Sequence, residues 1–311
     1  MASVKPVVTI GVCVRNSSFT IREAIDSIIN QDFPHELMEV IFVDDGSEDE
    51  TLSIINNYTS KMDMHAKVFH HEWKGLGPSR NVIVNNANGK YIVWVDGDMI
   101  LPEDHIRKQV EFMEESPTIG IAKARYGNCP EENLVGKLEN VGFQAVDWKY
   151  CGKVTSRSLG TGGSICRVEA IRQVGGFDDR ITGVGEDADI EYRIRNVGWL
   201  LYRATPALFY ERRRKTWKDI WNEGFWHGYG GHYIFRKDKG IFAIYKMIPL
   251  AGFLAGVWYS IIAYKITRRK MVFLLPLQYT FKRTAWCFGF VKGQIEGCKR
   301  AEKSCGETPR M

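Results

Sequence analysis

Tyr91-Ile92-Val93-Trp94-Val95-Asp96-Gly97-Asp98 decides how this 311-residue chain reads. The apolar run at its start, rich in β-branched and aromatic side chains, has the length and composition of a buried strand. It stops abruptly at two carboxylates separated by one glycine, so Asp96 and Asp98 belong at the strand's carboxyl end. In an open α/β sheet that end is where ligands bind. Two carboxylates there, with Gly97 letting the backbone turn, suit a hard divalent cation, Mn²⁺ or Mg²⁺, of the kind shared with substrate phosphates. A strand that merely turns on Asp-Gly would carry the same residues, so the surrounding pattern has to decide.

Upstream, residues 7–14 read as a buried first strand running into Arg15-Asn16-Ser17-Ser18. Ile21, Ala24, Ile25, Ile28 and Ile29 then form one apolar helical stripe. A second strand, Val40-Ile41-Phe42-Val43, ends at Asp44-Asp45-Gly46-Ser47. Ser47 and Glu50 are spaced as a capping box for a helix with Leu52, Ile55 and Tyr58 facing inward. A third strand at 66–69 and a Gly/Pro loop at 75–81, opening a short helix, lead to the central strand. Downstream the pattern predicts a helix over 102–115, a strand over 119–124 and helical structure over 131–146. A glycine-rich loop at 159–164 and a short helix over 167–174, stopped by Gly175-Gly176, follow. A last helix opens at Gly185-Glu186-Asp187 and ends at Gly198. This alternation predicts an α/β fold with a mixed, mainly parallel sheet flanked by helices.

The apolar content of 44% and charged content of 25% are those of a folded chain. Seven cysteines, an odd number with no C-x-x-C pair, point to a reducing compartment and no zinc site. Residues 1–6 lack the long apolar core of a signal peptide, which places the bulk of the chain in the cytoplasm. The net charge of +5 hides an asymmetry: from Arg212 onward there are 20 Lys+Arg against 6 Asp+Glu, and before it 22 against 31. A basic tail on a slightly acidic body implies a partner for the tail. Its apolar runs favour anionic lipid over nucleic acid.

Four islands together resemble the family-2 glycosyltransferases, enzymes of the nucleotide-sugar-binding, Rossmann-like GT-A fold. They are Val12-Cys13-Val14-Arg15-Asn16, Val43-Asp44-Asp45-Gly46-Ser47, Val95-Asp96-Gly97-Asp98, and Gly175-Gly176-Phe177-Asp178 with Gly185-Glu186-Asp187. Arg80-Asn81 also fits the family's pattern, and the resemblance covers roughly residues 7–203. It implies a GT-A domain over 1–211, with Asp44 and Asp45 on the nucleobase and ribose and Arg80 near the nucleotide. Asp96 would contact the nucleotide or metal, Asp98 would ligate the metal, and Asp187 would be the general base. Glu186, Gly162 and Gly163 are candidates for contacting acceptor or phosphate. The implied donor is a UDP- or GDP-sugar and the implied cofactor Mn²⁺ or Mg²⁺. One departure stands out. Many relatives carry a metal-binding His shortly after the helix following the base, whereas Phe209-Tyr210-Glu211-Arg212 stands here; Glu211, His227 and His232 are the possible substitutes. The processive relatives' Q-x-x-R-W pattern is absent after the base, which points to single transfer.

Chemistry supports the same assignment. Transfer from a nucleotide sugar needs the leaving diphosphate neutralised and a base within reach of the acceptor hydroxyl. A single base opposite the leaving group inverts the anomeric centre, by the logic of inverting glycosidases. A nucleotidyltransferase would share the D-x-D site but has no use for a base at 187. A catalytically silent binding module has no use for Asp96, Asp98 and Asp187 together.

Residues 212–311 read as a helical, membrane-associating region. Thr216 is a candidate N-cap, and Trp217, Trp221, Phe225 and Tyr229 recur at steps of four, a stripe that suits core packing or a lipid interface. Residues 247–264 carry no charge and approach the lower limit for a span. Residues 271–291 are interrupted by Lys282-Arg283, each costing about 2.5–3.5 kcal/mol at a spanning helix's centre. A basic loop at 265–270 lies between them. The expectation is a hairpin over about 241–291 that dips into or lies along the cytoplasmic leaflet, bringing a lipid-linked or glycan acceptor to the site.

Overall fold

A computed structural model describes residues 5–127, 133–181, 184–241 and 243–296. The 91–95 run sits at the middle of a sheet and is buried on both faces, which is why it reads as continuous rather than alternating. Its side chains alternate between two cores: Tyr91, Val93 and Val95 enter one, Ile92 and Trp94 the other.

The first half of the chain is a run of strand–helix units. β1 (Val8–Val14), α1 (Ile21–Ile29), β2 (Met38–Asp45), α2 (Thr51–Thr59), β3 (His65–His71), α3 (Leu76–Asn86) and β4 (Tyr91–Asp96) follow in order. All four of these strands are parallel. The short β5 (Met99–Ile100) and α4 (His105–Glu115) lead to β6 (Ile119–Tyr126) and α5 (Leu134–Tyr150). Then come β7 (Lys153–Val154), β8 (Ser164–Arg167), α6 (Val168–Gln173), α7 (Glu186–Asn196) and β9 (Leu200–Glu211). The sheet order is β3-β2-β1-β4-β8-β6-β9-β5, with β7 also on β9. β8 is antiparallel to both β4 and β6, so the sheet is mixed but mainly parallel.

Two local expectations need correcting. Ser47 does not cap α2. Its hydroxyl donates to the Asp44 carboxylate and accepts from the Asn16 N–H at 2.9 Å. A charged acceptor is the stronger partner, so α2 begins only at Thr51, whose N–H donates to Asp49 at 3.0 Å. On α2 it is Ile54 and Ile55 that are fully enclosed, with Leu52 and Tyr58 half-buried. The helix expected from Glu131 starts outside the described residues at that end, as do Cys129, Cys298 and Cys305; Cys13, Cys151, Cys166 and Cys287 are free thiols.

The tail forms α8 (Trp217–Lys237), α9 (Pro249–Thr267) and α10 (Leu275–Glu296). Thr216 caps α8 in a full capping box with Asp219. α8 and α10 cross closely enough that a Cβ on Gly228 would strike the Trp286 carbonyl, and one on Gly289 the Phe225 carbonyl. The aromatic stripe packs there, with Trp217 and Trp221 against Phe281 at 5.4 and 5.1 Å. Lys282 turns inward to the buried Glu139 of α5 at 2.9 Å, which also accepts from Gln278 at 2.7 Å. α9 lies along α5 through a shared core of Leu138, Val141 and Ala145 with Tyr259, Ile262 and Ala263.

Candidate active site

The parallel register brings the carboxyl ends of the strands into line. Asp44 stands opposite Val14, and Asp96 opposite Cys13. Asp44 and Asp45 are both buried, and their oxygens are occupied by their own surroundings. Asp44 accepts from Ser47 and from His70 Nδ1 at 2.7 Å. Asp45 accepts from the N–H groups of Lys74 and Gly75 at 2.7 and 2.9 Å. The pair thus fixes the 44–47 turn and the start of α3. Beside that turn the Arg15 guanidinium lies 5.6 Å from the Trp73 ring.

Arg80 is also buried. It forms an ion pair with Glu186, and its guanidinium lies 5.8 and 5.7 Å from the Trp94 and Phe177 rings. Burial alone would lower its pKa, but the charges of Glu186 and Asp96 outweigh that and hold it raised. The neighbouring Asn81 exchanges two hydrogen bonds with the Phe177 backbone, at 2.9 and 2.8 Å. The Arg80-Asn81 and Gly176-Phe177 islands and the Glu186 turn are thus one structural unit, and Glu186 within it faces Arg80. Arg80→Met is expected to destabilise the fold by about 3–5 kcal/mol, because it leaves Glu186 buried without its partner. Urea unfolding checks this, and the double variant Arg80→Met/Glu186→Leu is expected to recover most of the loss.

The glycine-rich loop spans the remaining distance. A Cβ built on Gly162 would sit 2.5 Å from Asp96 Oδ2, and one on Gly160 would sit 3.6 Å from Asp187 Oδ2. The carboxylates at the end of β4 and at the start of α7 therefore lie against the same short loop, at Gly162 and at Gly160. Asp187 lies in the first turn of α7, where negative charge is favoured by the helix dipole. The loop is held from beneath. Glu191 accepts from the N–H groups of Leu159 and Gly160 at 2.9 and 2.8 Å, and Gly163 N–H donates to the Trp94 carbonyl at 2.9 Å. Burial, then the nearby charge of Asp187, pushes the Glu191 carboxyl up to about 7. Lys123 Nζ lies 3.4 Å from the Gly160 carbonyl and over the Tyr126 and Phe209 rings.

Glu191 and Lys123 were not singled out from the sequence. Both left a trace there: Glu191 is four residues after Asp187, hence on the same helix face, and Lys123 is a lone charge inside the apolar run 119–124.

Asp98 follows the turn at Gly97 and meets β9. Met99 pairs with Glu211, and the Arg212 N–H donates to the Asp98 carbonyl at 3.3 Å. Of the three substitutes for the missing histidine, only Glu211 is placed beside Asp98. His232 is buried between α8 and α10, 5.7 Å from the Phe290 ring; His227, on α8, is held below its ordinary pKa by desolvation, against the charges of Glu223 and Asp187. Burial, then the charges of Glu211 and Asp96, pushes the Asp98 carboxyl up to about 7. Glu211 is raised too, by burial and Asp96, against the opposing pull of Arg213, which donates to it at 2.8 Å. Among the described residues, no three His, Cys, Asp or Glu side chains gather tightly enough to enclose an ion alone. A cation of the Mg²⁺ type takes one or two carboxylates from the protein and its other ligands from phosphate and water. Crowded carboxylates that resist ionising fit that kind of partner.

The profile described as Glycosyl transferase family 2 matches residues 9–172, and that of Glycosyl transferase family group 2 matches residues 91–291. The chain is 26% identical over 243 residues to the probable glycosyltransferase YdaM of Bacillus subtilis, covering 75% of this chain and 57% of that protein. It is 34% identical over 147 residues to a poly(ribitol-phosphate) beta-glucosyltransferase of Bacillus spizizenii, covering 46% of this chain and 23% of that protein. The chain therefore spans only part of the length of these relatives. Among solved structures it is similar to the mannosyltransferase PcManGT of Pyrobaculum calidifontis, in complex with GDP-Man and Mn2+. That TM-score is 0.67 at 18% identity, covering 95% of this chain and 89% of the other, which shows a shared GT-A fold.

Proposed function

Because the chain belongs to glycosyl transferase family 2, we propose that it is an inverting, metal-dependent glycosyltransferase. It moves a sugar from a UDP- or GDP-sugar to a hydroxyl or phosphate acceptor, lipid-linked or part of an envelope glycan. The work is done at the cytoplasmic face of the cell membrane. The observation that carries this reading is that Asp96 and Asp187 lie against one glycine-rich loop, at Gly162 and at Gly160. A site with one carboxylate at the diphosphate end and one at the acceptor end needs that geometry. The mannosyl donor of PcManGT and the poly(ribitol-phosphate) acceptor in the name of the Bacillus spizizenii relative support the donor and acceptor classes.

In this reading Asp98 would hold Mn²⁺ or Mg²⁺, with Asp96 and Glu211 beside it. When bound, the cation supplies Lewis-acid neutralisation of the leaving diphosphate. The chain's own residues do the rest. Asp187 accepts the proton of the acceptor hydroxyl as its oxygen bonds to the anomeric carbon and the bond to the diphosphate breaks. Attack from the face opposite the leaving group inverts that carbon. Glu191, through the amides of residues 159 and 160, keeps the loop against Asp187. Arg80 fixes the turn that presents it.

The test is nucleoside-diphosphate release from a panel of UDP- and GDP-sugars with Mn²⁺ or Mg²⁺, with and without EDTA, membrane extract supplying the acceptor. Pyrophosphate as the product would mean a nucleotidyltransferase. Binding of donors without turnover of any would mean a silent binding module.

A further inference from the structure

We infer that the chain docks on an anionic lipid leaflet through the exposed side of the α9–α10 hairpin, lying in that leaflet without crossing it. This deepens the membrane location proposed above but stands on the surface alone, so either reading can fail without the other.

The first observation is sidedness. Along α9, Gly252, Gly256, Tyr259, Ser260 and Ala263 are buried, while Leu250, Leu254, Trp258 and Ile261 are 65, 61, 54 and 48% exposed. The exposed set recurs at steps of three and four, one face of a helix. On α10, Leu277, Phe288 and Ile295 are 63, 60 and 80% exposed at steps of eleven and seven, again one face. Exposed apolar side chains in this number, large and unscattered, mark an interaction surface.

The second is attachment. α9 is the one helix among the described residues long and apolar enough to cross a membrane. Its other side, however, is fastened to α5. α5 carries Glu139, Asp147 and Lys149, and it anchors β6 through Asp147, which accepts from the Tyr126 N–H at 2.8 Å. α9 cannot stand across a bilayer without drawing that helix into it.

The third is charge, and it selects the occupant. Between residues 243 and 296 there are eight Lys and Arg and one acid, Glu296; of the eight, Lys282 turns inward to Glu139 and is no part of the outer surface. Arg268, Arg269 and Lys270 are exposed at the turn between α9 and α10, and Lys149 lies 5.2 Å from the exposed Trp258 ring. Tryptophan beside lysine is headgroup-level chemistry, and a cationic rim around an apolar face fits anionic headgroups. A second copy of the chain fits poorly, since a two-fold contact would set basic rim against basic rim. The turn's cations also oppose passage through hydrocarbon.

The experiment floats the purified full-length chain with neutral phosphatidylcholine vesicles and with vesicles containing about 30% phosphatidylglycerol. Preferential flotation with the anionic vesicles is expected, weakening at high salt. Arg268→Gln/Arg269→Gln should weaken anionic binding about 25-fold. Leu254→Asp/Trp258→Asp should abolish binding to both, with an unchanged melting temperature showing that the fold survives. Lys270→Cys, mapped by mass spectrometry, should be labelled by an impermeant maleimide added outside the vesicles. Protection of that cysteine would overturn the in-leaflet placement. A stable dimer without vesicle affinity, or flotation indifferent to both double variants, would overturn the surface.

Discussion

Asp187→Asn is expected to lower transfer to a hydroxyl acceptor by about 10²–10⁴-fold, the range for loss of a general base. The donor KM should stay within about twofold, since the asparagine removes no contact made to the donor. The substitution is nearly isosteric. The side-chain oxygen that accepts from the Ala188 N–H at 2.7 Å is retained, and the packing against Gly160 is kept. What disappears is the ability to take a proton. Nucleoside-diphosphate release at saturating donor, with stability followed in parallel, separates chemistry from folding. An unchanged kcat would remove Asp187 from the chemistry and favour a phosphate acceptor, which has no proton to give up.

Cation removal should have the next largest effect. EDTA, or Asp98→Asn with cation present, is expected to cost two to three orders of magnitude in rate, on the order of the several kcal/mol a Lewis acid supplies. The pH dependence has a definite sign. Without a cation, burial, Glu211 and Asp96 hold the Asp98 carboxyl up at about 7, against an ordinary 3.8. A cation must displace that proton, so the apparent Kd for Mn²⁺ should rise about tenfold per unit below pH 7 and level off above it. Stability follows the same carboxyl. Between 3.8 and about 7 the folded chain holds a proton that the unfolded chain has released, so cation-free stability falls as pH rises through that window. Saturating Mn²⁺ should flatten the slope. Titration calorimetry and thermal melts at several pH values check both, and a pH-independent Mn²⁺ affinity would exclude Asp98 as the ligand.

The parallel half of the sheet was legible because its strands are local objects: β1, β2 and β4 are apolar runs, β2 and β4 stopped by Asp, separated by helical segments. The islands at 95–98 and 185–187 were legible because carboxylates stand there at the end of a buried run and at a glycine-led helix start. β8 and β9 were not. Ser164–Arg167 is four residues with a serine, a cysteine and an arginine, and its place between β4 and β6 is set by tertiary pairing alone. Leu200–Glu211 contains Arg203, Thr205 and Pro206, which break any strand period. Side-chain partnerships were hidden for the same reason. The Lys282 that looked costly in an apolar helix answers Glu139, 143 residues earlier, and the Ser47 spaced as a cap answers Asp44. Spacing identifies what a residue can do locally; it does not show a stronger partner arriving from elsewhere.

The packing of α8 on the Asp187 turn sets an order of completion. A Cβ on Gly230 would strike the Val184 carbonyl, one on Gly185 would lie 2.7 Å from Ile234, and Lys237 reaches Asp189 at 2.5 Å. The turn that presents Asp187 thus gains its outer wall from residues translated some fifty positions later. On the ribosome, the strand ends that carry Asp44, Asp45 and Asp96 emerge first, and the Asp187 turn is walled in only once α8 has followed. A nascent chain halted near residue 211 would hold the strands of the sheet without the wall against the Asp187 turn, which arrives only with α8.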